Sequence, residues 1–412
     1  MSTLRRRLRV AYVCTDPGIP VFGTKGASVH AQAVLRALLR RGAEVHLLTP
    51  RPGGPAPAGL EDVRVHELPA VAGRRDGDAT ERLAARERSA VASDAAVAPA
   101  LDSLTGEVPF DLVYERYALW GRTATAWARR SGVPSLLEVN APLPDEQSAH
   151  RGLVDVAGAH AVATAALSSA TAAFGVSDTV SAWARRYAAD PTRVRTVANG
   201  VDTRAVTPAA RPVTGTDGPF TLGFVGTLKA WHGVETLVAA AARLMADDPS
   251  YRLLLVGDGP RADALRAQAA DLGIAANVET TGALPAAEVP AQLHRMDVAC
   301  APYPALDDFY FSPLKVTEYL AAGLPVVASA VGDLPALLDG GTHGTLVAPD
   351  DPAALATAVA ALRADVVRRR TLRTVNRTAA LAADWDHVLA TSLAPLGLGE
   401  PALTTPGADR VA

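Results

Sequence analysis

The stretch FYFSPLKVTEYLAAG (309–323) places two ionisable groups, Lys315 and Glu318, three residues apart in apolar surroundings. At that spacing both lie on roughly one face of a helix. An ammonium in the first helical turn meets the positive end of the helix dipole, at a cost of about 0.3–1 kcal/mol when exposed. The sign reverses if an anion is held jointly by the free N–H groups and the ammonium. A carboxylate one turn further on could accept from a pair of sugar hydroxyls. The other reading of the pair is a surface Lys–Glu contact.

Only three of the 40 basic residues are lysines, and the other two are Lys25 in FGTKGASVH and Lys229 in GFVGTLKAWHG. All three fall in loops that follow strand-like runs. In a chain that otherwise uses arginine, this suggests places where a compact point charge is wanted. Chance remains the alternative with so few residues. Ser312 is expected as the N-cap and Pro313 as the first helical residue, which makes Lys315 the third. Gly323 is expected to end the helix in the left-handed region.

Two glycine loops call for a ligand or for a simple turn. In GTKGAS, Gly23 and Gly26 would let backbone approach a phosphate, or merely join a strand to a helix. LLLVGDGPRADA carries Gly257 in a G-x-G-x-x-A pattern with Glu279 22 residues later, a loose dinucleotide fingerprint. It sits deep in the second half, and Pro260 crowds the turn, which argues against NAD. No G-x-S-x-G elbow, Walker loop or zinc spacing occurs, and no metal is called for.

A chain of 412 residues is too long for one core and suits two domains. At 49% hydrophobic, 20% charged and net −3, it gives no electrostatic case for nucleic acid or an anionic membrane. The start, MSTLRRRLRV, has too short an apolar run after it for a leader or span, and its arginines are either a solvated end or a membrane contact. Cys14 and Cys300 lie in apolar runs, as in a reduced cytoplasmic protein.

The strand candidates are RVAYVC, EVHLLT, VRVHEL, DLVYER, PSLLEV, AAFGVS and VRTVAN, then FTLGFVG, YRLLLVG, VETTGA, DVACAPY, PVVAS and GTLVA. Alternation with Ala/Leu/Arg helices predicts parallel sheets covered on both faces, an α/β fold of two doubly wound halves. Ligands of such folds bind outside the carboxyl ends of the strands. TPAARPVTGTDGP (207–219) reads as a linker, 73–106 as surface helix with a mobile loop, and RRRTLRTVNRTAALAADWDHVLATSL as one long terminal helix. The expected division is 1–206 and 207–380, then a helix over 381–396 and a disordered tail over 397–412.

Taken in order, GFVGTLKAWHG, LLLVGDGP, VETTGAL, DVACAPY, FYFSPLKVTEYLAAGLPVVAS and GTLVAPDDPAAL resemble the donor domain of retaining family-4 glycosyltransferases, the group that includes glycogen synthase. FGVSDTVSAWA and VRTVANGVDTRAVTP resemble that family's passage into its interdomain linker, so the likeness runs over about residues 8–395. It implies a GT-B fold of two Rossmann-like domains facing a central cleft, the first binding the acceptor and the second the donor. It implies no cofactor and no metal, only a nucleotide-sugar co-substrate, with a UDP-sugar ahead of a GDP-sugar. The terminal helix would cross back to the first domain.

By the same resemblance, Phe311, Ser312, Pro313 and Leu314 would bind phosphate or sugar through backbone amides, and Glu318 would hold the ribose hydroxyls. Gly26 would approach the diphosphate, Gly226 and Gly257 would lie in the donor loops, and Gly282 to Leu284 beside the base. The family's earlier glutamate, eight positions before Glu318, is here Tyr310. Its basic pair falls on Thr227 and His232, with Lys229 between, and a first-domain histidine falls on Asn140. These departures leave the donor sugar open.

Breaking the bond between the anomeric carbon and a diphosphate builds negative charge on the leaving phosphate. A helix N-terminus with Lys229 and Lys315 would supply the opposing potential. Lys25, Arg116, Glu138 and Asn140 are the expected acceptor side, although Arg116 and Glu138 could equally form a structural ion pair. A sugar-nucleotide epimerase and a non-catalytic nucleotide-sugar binder are the rival readings.

Overall fold

The computed structural model describes residues 7–70, 76–106, 108–210, 213, 218–306 and 312–399. Arg5 and Arg6 of the basic start, residues 211–212 and 214–217 of the 207–219 linker, Tyr310, Phe311 and the end of the chain from 400 lie outside the described residues.

Each of the thirteen strand-like runs forms a strand. The first seven are β1 (Arg9–Val13), β2 (Glu44–Thr49), β3 (Arg64–Glu67), β4 (Leu112–Arg116), β5 (Ser135–Val139), β6 (Ala172–Gly175) and β7 (Val194–Thr196). They make one parallel sheet in the order β3-β2-β1-β4-β5-β6-β7. The other six are β8 (Phe220–Val225), β9 (Tyr251–Val256), β10 (Val278–Thr280), β11 (Val298–Ala301), β12 (Val326–Ser329) and β13 (Gly344–Val347). Their order is β10-β9-β8-β11-β12-β13, again parallel. In each sheet the strand order reverses beside its first strand, between β1 and β4 and between β8 and β11. That switch point is where the crevice of a doubly wound sheet opens.

The burial explains why the inner strands read as unbroken apolar runs, while the edge strands β3, β7 and β10 carry exposed charged residues. In β9, Leu253 and Leu255 join one core layer, while Leu254 and Val256 join the layer on the opposite face. In β11, Val298 and Cys300 are divided from Ala299 and Ala301 in the same way. Helices cover both faces of these inner strands, so neither side of their pleat can be polar.

The chain divides into two units, residues 1–198 with 385–412, and residues 199–384. The terminal stretch expected as one long helix is two, Val366–Ala382 and Trp385–Leu393. Its break is set by tertiary contacts rather than by glycine or proline. Asp384 accepts from the Thr203 N–H (3.2 Å), and the Val201 N–H donates to the Ala383 carbonyl (3.0 Å). Within the second unit, Arg377 ties this incoming segment to the helix Leu314–Ala321. Its guanidinium donates to the carbonyls of Thr203 (2.8 Å), Val206 (2.8 Å) and Ala321 (3.1 Å). Within the first unit, Trp385 stands edge-on to His30 and Asp386 pairs with Arg40.

The region 73–106 holds the helices Ala79–Asp94 and Val97–Thr105. Among the described residues no helix is long and apolar enough to cross a membrane.

Candidate functional site

In the second unit, the carboxyl ends of β8, β9 and β11 and the start of the helix Leu314–Ala321 come together. The helix begins one residue later than expected. Pro313 is the N-cap, with ψ of 75°, and the Leu314 N–H is taken by the Ser312 carbonyl at 2.9 Å. Ser312 therefore does not cap with its side chain, and Lys315 is the second helical residue. Gly323 ends the helix with φ of +66°, as its position predicts.

Tyr319 fixes this helix against the sheet. Its buried hydroxyl accepts from the N–H of Val225, the last residue of β8, at 2.8 Å. One helical turn earlier, the Lys315 side chain runs under the same loop and is only 9% exposed. Its ammonium lies 4.2 Å from the Phe224 ring centroid and 5.0 Å from that of Tyr303. Rings offer some cation–π attraction, but Nζ has no hydrogen-bond partner among the described residues. A buried ammonium without an acceptor costs free energy, so this one marks a place where an acceptor is missing. Burial pushes its pKa down to about 7, with Glu318 opposing. Burial pushes Glu318 up to about 7, with Lys315 opposing.

Two glycines permit the close packing here. Gly226, just past β8, has φ of +141°, and a Cβ there would sit 3.1 Å from the Lys315 ammonium. Gly257, just past β9, has φ of +136°, and a Cβ there would overlap the Gly226 carbonyl. This packing accounts for the G-x-G pattern. The pattern follows the unit's second strand, whereas a dinucleotide turn follows the first. Glu279, the supposed ribose acid, pairs with Arg295 instead, at 2.8 Å. These observations remove the basis for the NAD reading.

Past Gly226, Thr227 is exposed, and Lys229 holds its ammonium 4.5 Å over the ring of Trp231. His232 places Nδ1 on the Thr227 carbonyl. Burial first, then Lys315 and Lys229, depress its pKa to about 3, with the Thr227 carbonyl opposing. The group standing at the family's basic place is thus a neutral imidazole. Leu284 is partly buried against the core beyond β10.

In the first unit, Lys25 and Gly26 are exposed at the start of the helix Gly26–Arg40, and the space around the Gly26 Cα is open. Glu138, on β5, is wholly buried. Its carboxylate accepts from Tyr114 (2.6 Å), Arg116 (3.0 Å) and Asn140 (2.6 Å), and the His30 ring lies against it. Burial would raise its pKa, but the His30 ring, Arg116 and the Tyr114 hydroxyl carry it down to about 2. A cavity of about 470 Å³ lined by Arg129, Ser168, Asp190 and Arg193 opens at the opposite, amino edge of this sheet.

Lys229, His232, Lys315 and Glu318 are thus gathered around one switch point, with Gly226 and Gly257 packed closely at the ends of β8 and β9. Arg116, Glu138 and Asn140 form a separate buried network near the other. Sequence reasoning missed Phe224, Tyr303 and Tyr319, which read as strand and helix core, and His30 and Tyr114, whose only signal was a polar group in an apolar run.

Two family models match the chain in succession: "Glycosyltransferase Family 4" over residues 24–205 and "Glycosyl transferases group 1" over 219–365. A D-inositol 3-phosphate glycosyltransferase of Stackebrandtia nassauensis is 29% identical over 390 residues, covering 88% of this chain and 84% of that one. Among solved structures, sucrose-phosphate synthase from Thermosynechococcus elongatus aligns with a TM-score of 0.68 at 22% identity, over 93% of this chain and 97% of that chain. HepE of Anabaena, in complex with UDP-glucose, aligns with a TM-score of 0.67 at 16% identity, over 95% of this chain and 100% of that one.

Proposed function

The chain belongs to the family-4, group 1 glycosyltransferases of GT-B fold, which move a sugar from a nucleotide-sugar donor with retention, and from that premise we propose that Lys315 receives the donor's leaving phosphate. The observation that carries this reading is the buried Lys315 ammonium, which has no acceptor among the described residues and lies against Gly226 at the carboxyl end of β8. An oxygen of the β-phosphate is the acceptor it lacks. The backbone N–H of Ser312 and the start of the helix share that charge, and Glu318, one turn on, takes the ribose hydroxyls. Lys229 adds positive potential from the loop after β8.

In this reading the acceptor oxygen bonds to the anomeric carbon on the face from which phosphate departs. The bond to the leaving oxygen breaks, and the acceptor's proton passes to that oxygen, so the products are glycoside and nucleoside diphosphate. No side-chain nucleophile is required, and retention follows from same-face attack. Arg116 and Asn140, oriented by the buried Glu138, and Lys25 at its helix start form the acceptor side. A UDP-sugar is the proposed donor, supported by the UDP-glucose held in HepE, a protein of the same fold.

The first test is thermal denaturation with UDP, GDP, dTDP, ADP and NAD. A nucleoside diphosphate at a hundred times its Kd adds about 2.7 kcal/mol, a plain upward shift. UDP alone should produce it. A response to NAD alone, or to none of the five, removes the proposal. A purified protein that releases UDP from the donor only when acceptor is present excludes an epimerase and a mere binder.

A second prediction concerns pH. Donor binding uses the charged forms of both Lys315 and Glu318, and the ionised pair is lost in opposite directions. Lys315 loses its proton as pH rises through about 7, and Glu318 gains one as pH falls through about 7. Affinity for an intact sugar nucleotide should therefore peak near neutrality and fall on both sides, by up to about tenfold per pH unit. Lys315→Arg should flatten the alkaline limb and Glu318→Gln the acid limb, measured by titration calorimetry. Profiles unaltered in both variants would sink the assignment.

A further inference from the structure

Resting on the donor reading above, the geometry around His232 points to a second, different contact. The Thr227 carbonyl can only accept, so Nδ1 of His232 carries the ring proton. In the neutral ring Nε2 is then a lone pair, and it has no partner among the described residues. The imidazole is partly exposed, so that lone pair is open to a ligand.

His232 and Lys315 share the same two rings. Phe224 lies 4.2 Å from the ammonium and 5.9 Å from the imidazole, and Tyr303 lies 5.0 Å and 5.7 Å away respectively. From the adjoining turn, Trp231 stands 6.3 Å away with Lys229 over it. Among the described residues, the charged or titratable groups around the imidazole are therefore Lys315 and, one turn beyond it, Glu318 on the helix, Lys229 on its own turn, and Tyr303 after β11. Two ammonium groups flank the ring, which disfavours a third cation. A lone pair cannot hold a phosphate oxygen, because both are acceptors. It needs a donor, and the part of the substrate joined to the phosphate on Lys315 is the sugar, with its hydroxyls.

We propose that His232 is a specificity-determining residue that accepts a hydrogen bond at Nε2 from a hydroxyl of the transferred sugar, leaving the diphosphate to Lys315. The place where the resemblance expects a basic residue thus holds a reader of sugar hydroxyls.

The test compares each sugar nucleotide with its own diphosphate by calorimetry: UDP-glucose, UDP-galactose and UDP-N-acetylglucosamine against UDP, and GDP-mannose against GDP. In wild type, at least one sugar nucleotide should bind more tightly than its diphosphate. His232→Phe should cut that sugar nucleotide's affinity about tenfold, the worth of one hydrogen bond, and leave the diphosphate within twofold. His232→Gln, which places an amide oxygen near the Nε2 position, should recover part of the loss. Equal weakening of diphosphate and sugar nucleotide would overturn the proposal by making His232 a phosphate ligand. So would unchanged binding of both, or a wild type that gains nothing from any sugar. If wild type binds neither UDP nor GDP, the donor site itself falls, and this inference with it.

Discussion

Lys315→Met should lower kcat/KM for sugar transfer by about 10²–10³-fold while making the protein more stable. The loss corresponds to about 2.7–4 kcal/mol, the worth of one preorganised donor aimed at a developing oxyanion. Methionine keeps the unbranched shape between Phe224 and Tyr303 but removes the charge. The gain in stability comes from ending the burial of an ammonium that has no acceptor among the described residues, about 1–2 kcal/mol near neutrality. Its pH dependence has a fixed sign. Burial lowers the Lys315 pKa from 10.5 to about 7, so between those values the unfolded chain holds the additional proton. The penalty in wild type is full below about pH 7 and fades as pH rises toward 10.5. The advantage of methionine should shrink over the same window. Initial rates and thermal melts on one preparation check both halves. A variant that loses activity and stability together would mean that Lys315 is a structural cation, and unchanged turnover would remove it from the reaction.

Arg116→Met should destabilise the first unit by about 3–5 kcal/mol, the range for breaking one partner out of a buried ion pair. Glu138 is wholly buried, and Arg116 is the permanent cation among its four partners. His30 is the group able to replace it. Burial holds His30 below its usual pKa, Glu138 raises it, and Arg116 lowers it. Without the guanidinium, His30 should take up a proton beside Glu138, and its folded pKa should rise above 6.5. A raised folded pKa contributes stability that is present below 6.5 and lost as pH climbs through the raised value. The variant should therefore regain part of its loss at mildly acidic pH, unlike wild type. In wild type, Glu138 is depressed to about 2, so its contribution is present above 4.5 and lost on acidification toward 2. Denaturant melts between pH 5 and 8 separate these profiles. A loss under 1 kcal/mol would show the network to be solvated in solution.

Much of the site was legible as sequence. All thirteen strands stand where strand-like runs between helical stretches place them, and the inner ones are plainest because a parallel strand buried on both faces has no polar side to blur the pattern. The three lysines could be singled out against an arginine background, and Gly226 and Gly257 lay in glycine turns past strand ends. The limits came from groups whose meaning is set across the fold. Ser312 has the chemistry of an N-cap, yet its carbonyl takes the Leu314 N–H and the helix starts after Pro313. The terminal segment has the composition of one helix, yet contacts from Val201 and Thr203 divide it at Ala383 and Asp384.

The sequence by itself determined two doubly wound sheets, the loops that would carry chemistry, and which residue types stand there. Only the tertiary structure decided their electrical state. Whether Lys315 is a solvated surface charge or an ammonium buried against two rings depends on Phe224 and Tyr303, 91 and 12 positions away in the chain. Whether His232 is a cation depends on the same rings and on which carbonyl holds its Nδ1. Desolvation and charge proximity act through space, and local sequence carries no record of either.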